Sequence, residues 1–398
     1  MRRAVAARAD GWMPTEGWGP RRKVLAPGLR NGKPAMTFGA MPRAKDCLRG
    51  RGGGNLPAMS GMSLRSLLAG LVPMLMTLLL AACAAQFHVP GAPVVAPQFD
   101  TDHWEAPDGA SLPMREWLPA GPPKAVVLAL HGMNDYSNAF DDPGRALAAK
   151  GIAVYAYDQR GFGKGPYPGY WSSTRAMAED LRVAARLVAA RHPGVPLFLL
   201  GESMGGAVVM VAVAEGPLPG VKGVILSAPA VWGRESMGVV QRAALWLAYE
   251  VAPGWELTGR GLHIKASDNI PMLRKLAKDP LVIKATRVDT IKGLVDLMDA
   301  AAASAPSVRL PFLLLYGEKD EIIPADAMWT AIDALPKNGT TRRIALYPKG
   351  YHMLLRDLEA RTVIDDVAAW IADPGRPLPS GADAEAEREM AKRAKGEN

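Results

Sequence analysis

One serine in the chain has the neighbours that an activated nucleophile requires. Ser203 is the centre of GESMG, residues 201–205, which matches the pattern G-x-S-x-G. An apolar run ends at Leu200, and a second apolar run with helical character follows the motif. At a sharp strand-to-helix turn, small residues such as Gly201 and Gly205 let the backbone approach neighbouring elements. The motif therefore predicts a serine at the start of a helix, where free amides favour developing negative charge.

A serine hydroxyl needs a base to take its proton and a carboxylate to hold that base in the right tautomer. Asp320 follows the apolar run 311–316, and His352 follows the last such run, 343–347. Both residues stand just past a predicted strand, at the edge where an open α/β sheet places its site. The chain order serine, aspartate, histidine predicts a triad of Ser203, Asp320 and His352. The neighbouring carboxylates that could replace Asp320 are Glu318, Glu321 and Asp326.

The oxyanion formed by attack on a carbonyl needs amide donors. One comes from the residue after the nucleophile and one from the loop after an early strand. These positions are Met204 and Met133, and Gly132 beside Met133 permits close backbone approach. His131 in the same loop is predicted to be structural, because His352 already supplies the base.

The elements that would position these residues alternate along the chain. Apolar strands separated by helices imply a mostly parallel sheet that is covered on both faces. An edge hairpin near 99–105 and 111–118 would complete eight strands. The other predicted strands are 125–130, 152–157, 196–200, 221–226, 311–316 and 343–347. The predicted helices are 138–150, 174–192, 205–215, 325–335 and 358–371.

One connection is far longer than the rest. About 80 residues separate the sixth predicted strand from the seventh, which predicts an inserted helical cap at about 229–307. Within it, residues 237–251 are apolar on most of a helix circumference. They form either a cap helix packed on the core or a lid helix that presents apolar surface to acyl chains or a membrane.

The distribution of charge argues against a nucleic-acid partner, and the spacing of the histidines argues against a metal ion. Residues 1–58 hold 12 Lys/Arg and 3 Asp/Glu, which leaves 35 basic and 36 acidic residues for the remainder. The domain therefore has no electrostatic footprint for nucleic acid. The only cysteines are Cys47 and Cys83, and no two of the six histidines have the i, i+4 spacing of a helical metal site. Neither a metal nor another cofactor is implied.

A targeting segment precedes the domain. Residues 67–82 are 16 uncharged, mostly apolar residues after Arg65, too short for a spanning helix but right for a signal peptide. The run ends in Leu80-Ala81-Ala82-Cys83, which resembles the lipobox of bacterial lipoproteins. The alternatives are a buried core helix or a plain signal. We expect a signal at 59–83, lipidation of Cys83, and attachment to a membrane of the bacterial cell envelope, facing the periplasm or in the outer membrane.

The signal lies too far along the chain for a protein that begins at Met1. We expect translation to start at Met59 or Met62, with residues 1–58 a start-site artefact or a disordered extension. Residues 84–98, with three prolines, predict a linker between the anchor and a domain spanning 99–374. Residues 375–398 predict a charged, frayed tail.

From about residue 99 to 373 the chain resembles the monoacylglycerol lipase and lysophospholipase group, which is often catalogued with the serine aminopeptidases. The resemblance implies the α/β-hydrolase fold with a cap after the sixth strand and hydrolysis of single-chain acyl esters. Ser203, Asp320 and His352 match the group's triad, and Met133 and Met204 match its oxyanion donors. The motifs that carry the resemblance are His131-Gly132, DQRGFG at 158–163, GESMGG at 201–206, GEKD at 317–320 and the His352 loop.

The sequence departs from the group's pattern at a few positions that bear on the substrate. The group shows D-H-R-G-H-G where this chain has Gln159 and Phe162, and often an acidic residue where it has Met353. We therefore expect a serine hydrolase of a small lipid-type carboxylic ester, with thioesterase, aryl esterase and peptidase as alternatives. An alternative of another class is an inactive envelope lipoprotein that uses the fold for binding.

Overall fold

The computed structural model describes residues 84–396, and their centre is a twisted nine-stranded sheet. Its strands are β1 Gln98–Phe99, β2 His103–Glu105, β3 Ser111–Trp117, β4 Ala125–Leu130, β5 Ile152–Tyr157, β6 Leu197–Glu202, β7 Val221–Ser227, β10 Phe312–Gly317 and β11 Arg342–Tyr347. They lie side by side in the order β1-β2-β3-β5-β4-β6-β7-β10-β11. The neighbours β1 and β2, β2 and β3, and β3 and β5 pair antiparallel, and all other pairs in this sheet are parallel. A separate two-stranded sheet pairs β8 Glu256–Thr258 with β9 Ala285–Arg287.

Alternate residues of the central strands face two different cores. In β4, Val126 and Leu128 join one apolar cluster, while Val127 joins the cluster on the other face. Because strand side chains alternate between faces, a strand that is apolar throughout must be covered on both sides. Four of the six strands predicted from apolar runs, β4, β5, β6 and β10, are buried along their whole length. In β7 and β11 a basic residue near the start of the strand is exposed or half-buried.

The described residues contain nine α-helices, and those that pack on the sheet cover both of its faces. The helices are α1 Asp141–Ala148, α2 Thr174–Arg191, α3 Met204–Ala214, α4 Val239–Val251, α5 Ile270–Lys278, α6 Val288–Ser304, α7 Ala325–Ala334, α8 Ala360–Ala372 and α9 Ala382–Lys395. Helices α1 and α8 contribute to the core on one face, and α2, α3, α6 and α7 contribute to the core on the other. Short 3₁₀ turns occupy Ser137–Phe140 and Ala305–Ser307. Of the helices in residues 84–396, none has both the length and the apolarity to cross a membrane.

The sheet has one strand more than the eight that the sequence predicts. The region expected to be a single strand, 99–105, divides into β1 and β2, which pair antiparallel through a tight turn. Asp100 closes that turn by donating its amide to the carbonyl of His103, 2.9 Å away. A short polar turn between two-residue and three-residue strands leaves too little periodicity to detect from sequence.

The predicted insert after β7 forms a helical cap only in part. Helix α6 packs against α3 and belongs to the helical layer over the sheet. Helix α4 is different, because none of its residues is buried. Trp246 is 64% exposed and Val240 81% exposed, so α4 presents an apolar surface to solvent. Of the two interpretations of this segment, the structure favours the exposed lid helix.

The two segments expected to be loose are attached to the domain. In the predicted linker, the amide of Gln86 donates to Asp289, and His88 stacks on Tyr167 with ring centroids 3.9 Å apart. The predicted frayed tail is wrong for residues 382–395, which form α9 along β11. Its high charge misled the prediction, because Ala386 is fully buried on the face that packs against the core.

The packing of α9 predicts a position-dependent effect of added charge. Ala386→Glu should lower the free energy of unfolding by about 2–3 kcal/mol, because it places a carboxylate in an apolar core. Ala391→Glu, on an exposed position of the same helix, should leave it unchanged within about 0.5 kcal/mol. Urea denaturation followed by circular dichroism measures both. Equal losses in the two variants would show that α9 does not pack as described.

Candidate active site

Ser203 stands on a strained turn between β6 and α3. Its φ of 54° and ψ of −116° lie outside the regions that a serine ordinarily adopts. A Cβ at Gly205 would collide with the carbonyl of Leu130, and one at Gly201 would collide with the backbone of Gly205. The two glycines thus allow α3 to pack directly against β4 and β6, which holds the turn in place.

His352 and Asp320 form the hydrogen-bonded pair that the sequence predicts. His352 Nδ1 lies 2.8 Å from Asp320 Oδ2, and both side chains are buried. A carboxylate accepts hydrogen bonds only, so the imidazole presents Nδ1–H to Asp320 and leaves Nε2 free to take a proton. The loops after β10 and β11 bring them together because those two strands are parallel neighbours.

The carboxylate of Asp320 is fixed by its own loop. Its Oδ1 accepts the amide protons of Ile322 at 2.8 Å and Ile323 at 3.0 Å, which leaves Oδ2 for the histidine. Of the four carboxylates considered from sequence, Asp320 is the one that contacts His352. Glu321 instead accepts the amide of Lys265 from the cap.

The loop after β4 lies against Ser203. A Cβ on Gly132 would come within 3.3 Å of the Cβ of Ser203, so glycine permits this approach. Met204, at the first position of α3, and Met133, beside Gly132, are the two residues predicted to offer amides to an oxyanion. Within residues 84–396 no acceptor is found for the amide proton of either methionine.

His131 is a structural residue of that loop. It is fully buried; its Nε2 accepts the amide proton of Gln159 at 3.1 Å, and its Nδ1–H donates to the carbonyl of Gly132 at 2.8 Å. Burial lowers the pKa of His131, which keeps the ring neutral in this arrangement. Gln159 also donates its side-chain amide to the carbonyl of His131 at 3.0 Å. Gln159, which departs from the pattern of the resembled group, therefore stabilises the loop of His131 and Gly132 through two hydrogen bonds.

Ser203 and His352 stand at the same edge of the sheet without a direct hydrogen bond. Among the described residues the structure shows no bond from Ser203 Oγ to Nε2 of His352. Catalytic hydrogen bonds are often long in the absence of substrate and shorten when it binds. Arg356, in the His352 loop, donates a hydrogen bond to Glu202, which directly precedes Ser203 in the turn that we call the elbow. No sequence pattern singles out this arginine.

Comparison with known proteins places the chain in a family. Residues 121–359, more than half of the sequence, match the family described as Serine aminopeptidase, S33. The chain belongs to this family. Its matched region begins just before β4 and ends beyond His352, so it includes every residue of the site described above.

Individual relatives agree with this assignment. The chain is 27% identical over 267 residues to a monoacylglycerol lipase of Mycolicibacterium smegmatis, covering 64% of this chain and 90% of the relative. It is 29% identical over 291 residues to the monoglyceride lipase of Rattus norvegicus, covering 70% and 93%. The monoacylglycerol lipase structure from Paleococcus ferrophilus superposes with a TM-score of 0.55 at 24% identity, covering 65% of this chain and 98% of that one. The fold is that of the α/β-hydrolases, and the chain is a serine hydrolase of carboxylic esters.

The close packing of the elbow predicts a sharp intolerance at Gly205. Gly205→Ala should lower the free energy of unfolding by at least about 2 kcal/mol and reduce ester hydrolysis strongly, because the new methyl group must displace β4 or α3. Gly121→Ala is the matched control, since nothing lies within 4 Å of its added Cβ. Thermal unfolding and hydrolysis of p-nitrophenyl butyrate test the pair, and a Gly205→Ala protein with both wild-type stability and wild-type activity would contradict the packing.

Proposed function

We propose that the protein hydrolyses single-chain acyl esters of the monoacylglycerol or lysophospholipid type through an acyl-enzyme on Ser203. The observation that carries the proposal is the buried pair of His352 and Asp320 at the sheet edge where the strained Ser203 turn stands. In this reading His352 is the general base, and Asp320 holds it and stabilises the imidazolium that forms.

The reaction follows from this geometry in two halves. Nε2 of His352 takes the Ser203 proton as Oγ attacks the ester carbonyl, and the amides of Met133 and Met204 receive the developing oxyanion. The imidazolium then donates its proton to the departing alcohol oxygen, which leaves an acyl ester on Ser203. Water, deprotonated by the same imidazole, attacks the acyl-enzyme. The imidazolium then returns the proton to Ser203 Oγ as the bond to the acyl group breaks and the fatty acid leaves.

The cap supports a substrate with an acyl chain. Helix α4 carries exposed Val240, Trp246 and Leu247, and Trp255 beyond the helix is 63% exposed. Exposed apolar side chains of this kind suit contact with acyl chains or a lipid surface. The relatives named monoacylglycerol lipase and monoglyceride lipase support the same substrate class.

The family description names a peptidase, which makes amide hydrolysis the second candidate. An aminopeptidase site needs carboxylates that bind the substrate's ammonium group. Three carboxylates around the site are already bound by the protein itself. Asp320 accepts a hydrogen bond from His352, and Asp135 and Glu202 both pair with the buried guanidinium of Arg356. We therefore rank ester hydrolysis above peptide hydrolysis, with thioesters and aryl esters as further ester-type substrates.

We also propose that Cys83 is lipidated and that the protein works at a membrane of the bacterial envelope. Cys83 and the apolar segment before it lie outside the described residues. Two residues, Ala84 and Ala85, separate Cys83 from Gln86, and three extended residues span at most about 10 Å. The amide of Gln86 donates to Asp289, whose own amide donates to the carbonyl of Pro253, just after α4. An anchor at Cys83 would thus enter the lipid beside the apolar cap.

The catalytic assignment is tested with a substrate panel. The wild-type protein should hydrolyse monoacylglycerols and p-nitrophenyl esters with a kcat/KM at least about 10-fold above that for aminoacyl p-nitroanilides. Ser203→Ala should lose all measurable hydrolysis while keeping its circular dichroism spectrum, because it removes only a hydroxyl. Asp320→Asn should lose about 10³-fold or more in kcat, since an amide favours the wrong tautomer of His352.

Two results would contradict the assignment. Retention of more than a few per cent of activity in folded Ser203→Ala would exclude this serine as the nucleophile. Faster cleavage of aminoacyl anilides than of esters would make the protein a peptidase.

The anchor is tested by the two cysteines. Cys83→Ser should move the protein from the membrane fraction to the soluble fraction after a high-salt wash, without changing hydrolysis of a soluble short-chain ester. Cys47→Ser should leave membrane attachment unchanged, because residue 47 precedes the proposed start site and would be absent from the mature protein. A membrane-bound Cys83→Ser protein, or an unmodified Cys83 in the mature peptide by mass spectrometry, would rule out lipidation at this residue.

A further inference from the structure

Arg356 joins three loops of the site through a single buried guanidinium. It lies four residues after His352 and is 8% exposed. Its Nη1 donates to Asp135 Oδ2 at 2.7 Å, and its Nη2 donates to Glu202 Oε1 at 2.8 Å. These partners are 221 and 154 residues away along the chain. The contacts therefore fix tertiary positions that no local structure could fix.

Each partner of Arg356 stands next to a residue with a proposed role. Glu202 is the last residue of β6 and directly precedes Ser203. Asp135 follows Met133 by two positions, and its amide donates to the carbonyl of Gly132 at 3.3 Å. The nucleophile turn, the oxyanion loop and the histidine loop thus meet at one side chain.

No other donor in the described part of the chain replaces Arg356 at Glu202. That carboxylate is 2% exposed, its Oε1 is bound by Arg356, and its Oε2 has no partner within residues 84–396. Burial alone lowers the pKa of the Arg356 guanidinium, but Glu202 and Asp135 more than offset this and raise the pKa above its ordinary value. The guanidinium is therefore charged throughout the working pH range.

The turn that carries Arg356 is also held from the cap. Asp357 Oδ1 accepts the hydroxyl proton of Ser267 at 2.6 Å, and its Oδ2 accepts the amide of Tyr351 at 2.8 Å. The backbone carbonyl of Arg356 accepts the side-chain amide of Asn269 at 2.8 Å. The backbone of this turn is thus anchored on the cap side, while the Arg356 side chain reaches the opposite way to the elbow.

We propose that Arg356 is a positioning residue for ester hydrolysis, one that holds the His352 loop in register with the Ser203 turn and the Met133 loop. The proposal rests on the proposed roles of those three residues. A planar guanidinium spans two carboxylates with fixed geometry, which a lysine ammonium cannot do. Displacement of catalytic groups by about 1 Å costs on the order of 10²-fold in rate. Arg356 therefore acts on kcat rather than on substrate affinity.

The first test separates positioning from general stability. Arg356→Gln should lower kcat for p-nitrophenyl butyrate by about 30–100-fold with KM changed by less than about 3-fold. Arg356→Lys should lose less, and it provides the same test if the glutamine variant does not fold. Arg343→Gln is the matched control. Arg343 lies near the start of β11, at the opposite edge of the sheet from the site, and makes a partly buried ion pair with Asp383. Arg343→Gln should lower the melting temperature but keep kcat within about 2-fold.

The second test removes the buried charge imbalance. Arg356→Gln leaves two buried carboxylates, and the double variant Glu202→Gln/Arg356→Gln restores the original net charge of this cluster. The melting temperature should then recover while kcat stays low, because the link between the loops is still missing. Recovery of kcat together with the melting temperature would overturn the positioning role, as would an Arg356→Gln enzyme with wild-type kcat.

The outcome is distinct from a failure of the proposed function. If folded Ser203→Ala keeps its activity, the proposed function fails and the role of Arg356 fails with it. If Ser203→Ala is inactive while Arg356→Gln retains its kcat at a lowered melting temperature, only the positioning role is wrong.

Discussion

The conformation of Ser203 is the constraint on which the rest of the site depends. A serine at φ 54° is held there only because α3 packs directly against β4 and β6, and that packing needs Gly201 and Gly205. The strained turn lifts the hydroxyl out of the strand and places the Met204 amide at the start of a helix. Burial of the apolar strands on both sides offsets the energetic cost of this strained backbone. The geometry of the site therefore depends on the packing of the core.

The parallel sheet brings the loops with Asp320 and His352 to the same edge as the Ser203 turn. Strands β6, β7, β10 and β11 are successive neighbours, so the loops after them lie along one edge. Asp320 and His352 enter from the last two of these loops and meet in a buried hydrogen bond. The cap then contacts the same loops, since the amide of Met353 donates to the carbonyl of Ala266. The cap segment that contains Ala266 is thereby bonded directly to the histidine loop.

The sequence predicts those parts of the molecule whose signals are local. Strands buried on both faces are continuous apolar runs, so β4 and β5 were placed at their observed bounds. Helix α9 was missed because its buried face consists of small alanines among charges, and charge dominated the interpretation. Arg356 was missed because a buried arginine in a loop has no local pattern, and its partners are more than 150 residues away. The His352 and Asp320 pair could be inferred because chain order and strand ends fix it.

The central claim is that Ser203 is an activated nucleophile whose base is held by Asp320. Reaction with a fluorophosphonate, followed by peptide mass spectrometry, measures it most directly, because only an activated serine is labelled rapidly. We expect a single adduct on the peptide that contains Ser203, and labelling at least about 100-fold slower in Asp320→Asn. An adduct on a different residue, or equal labelling rates in the two proteins, would contradict it.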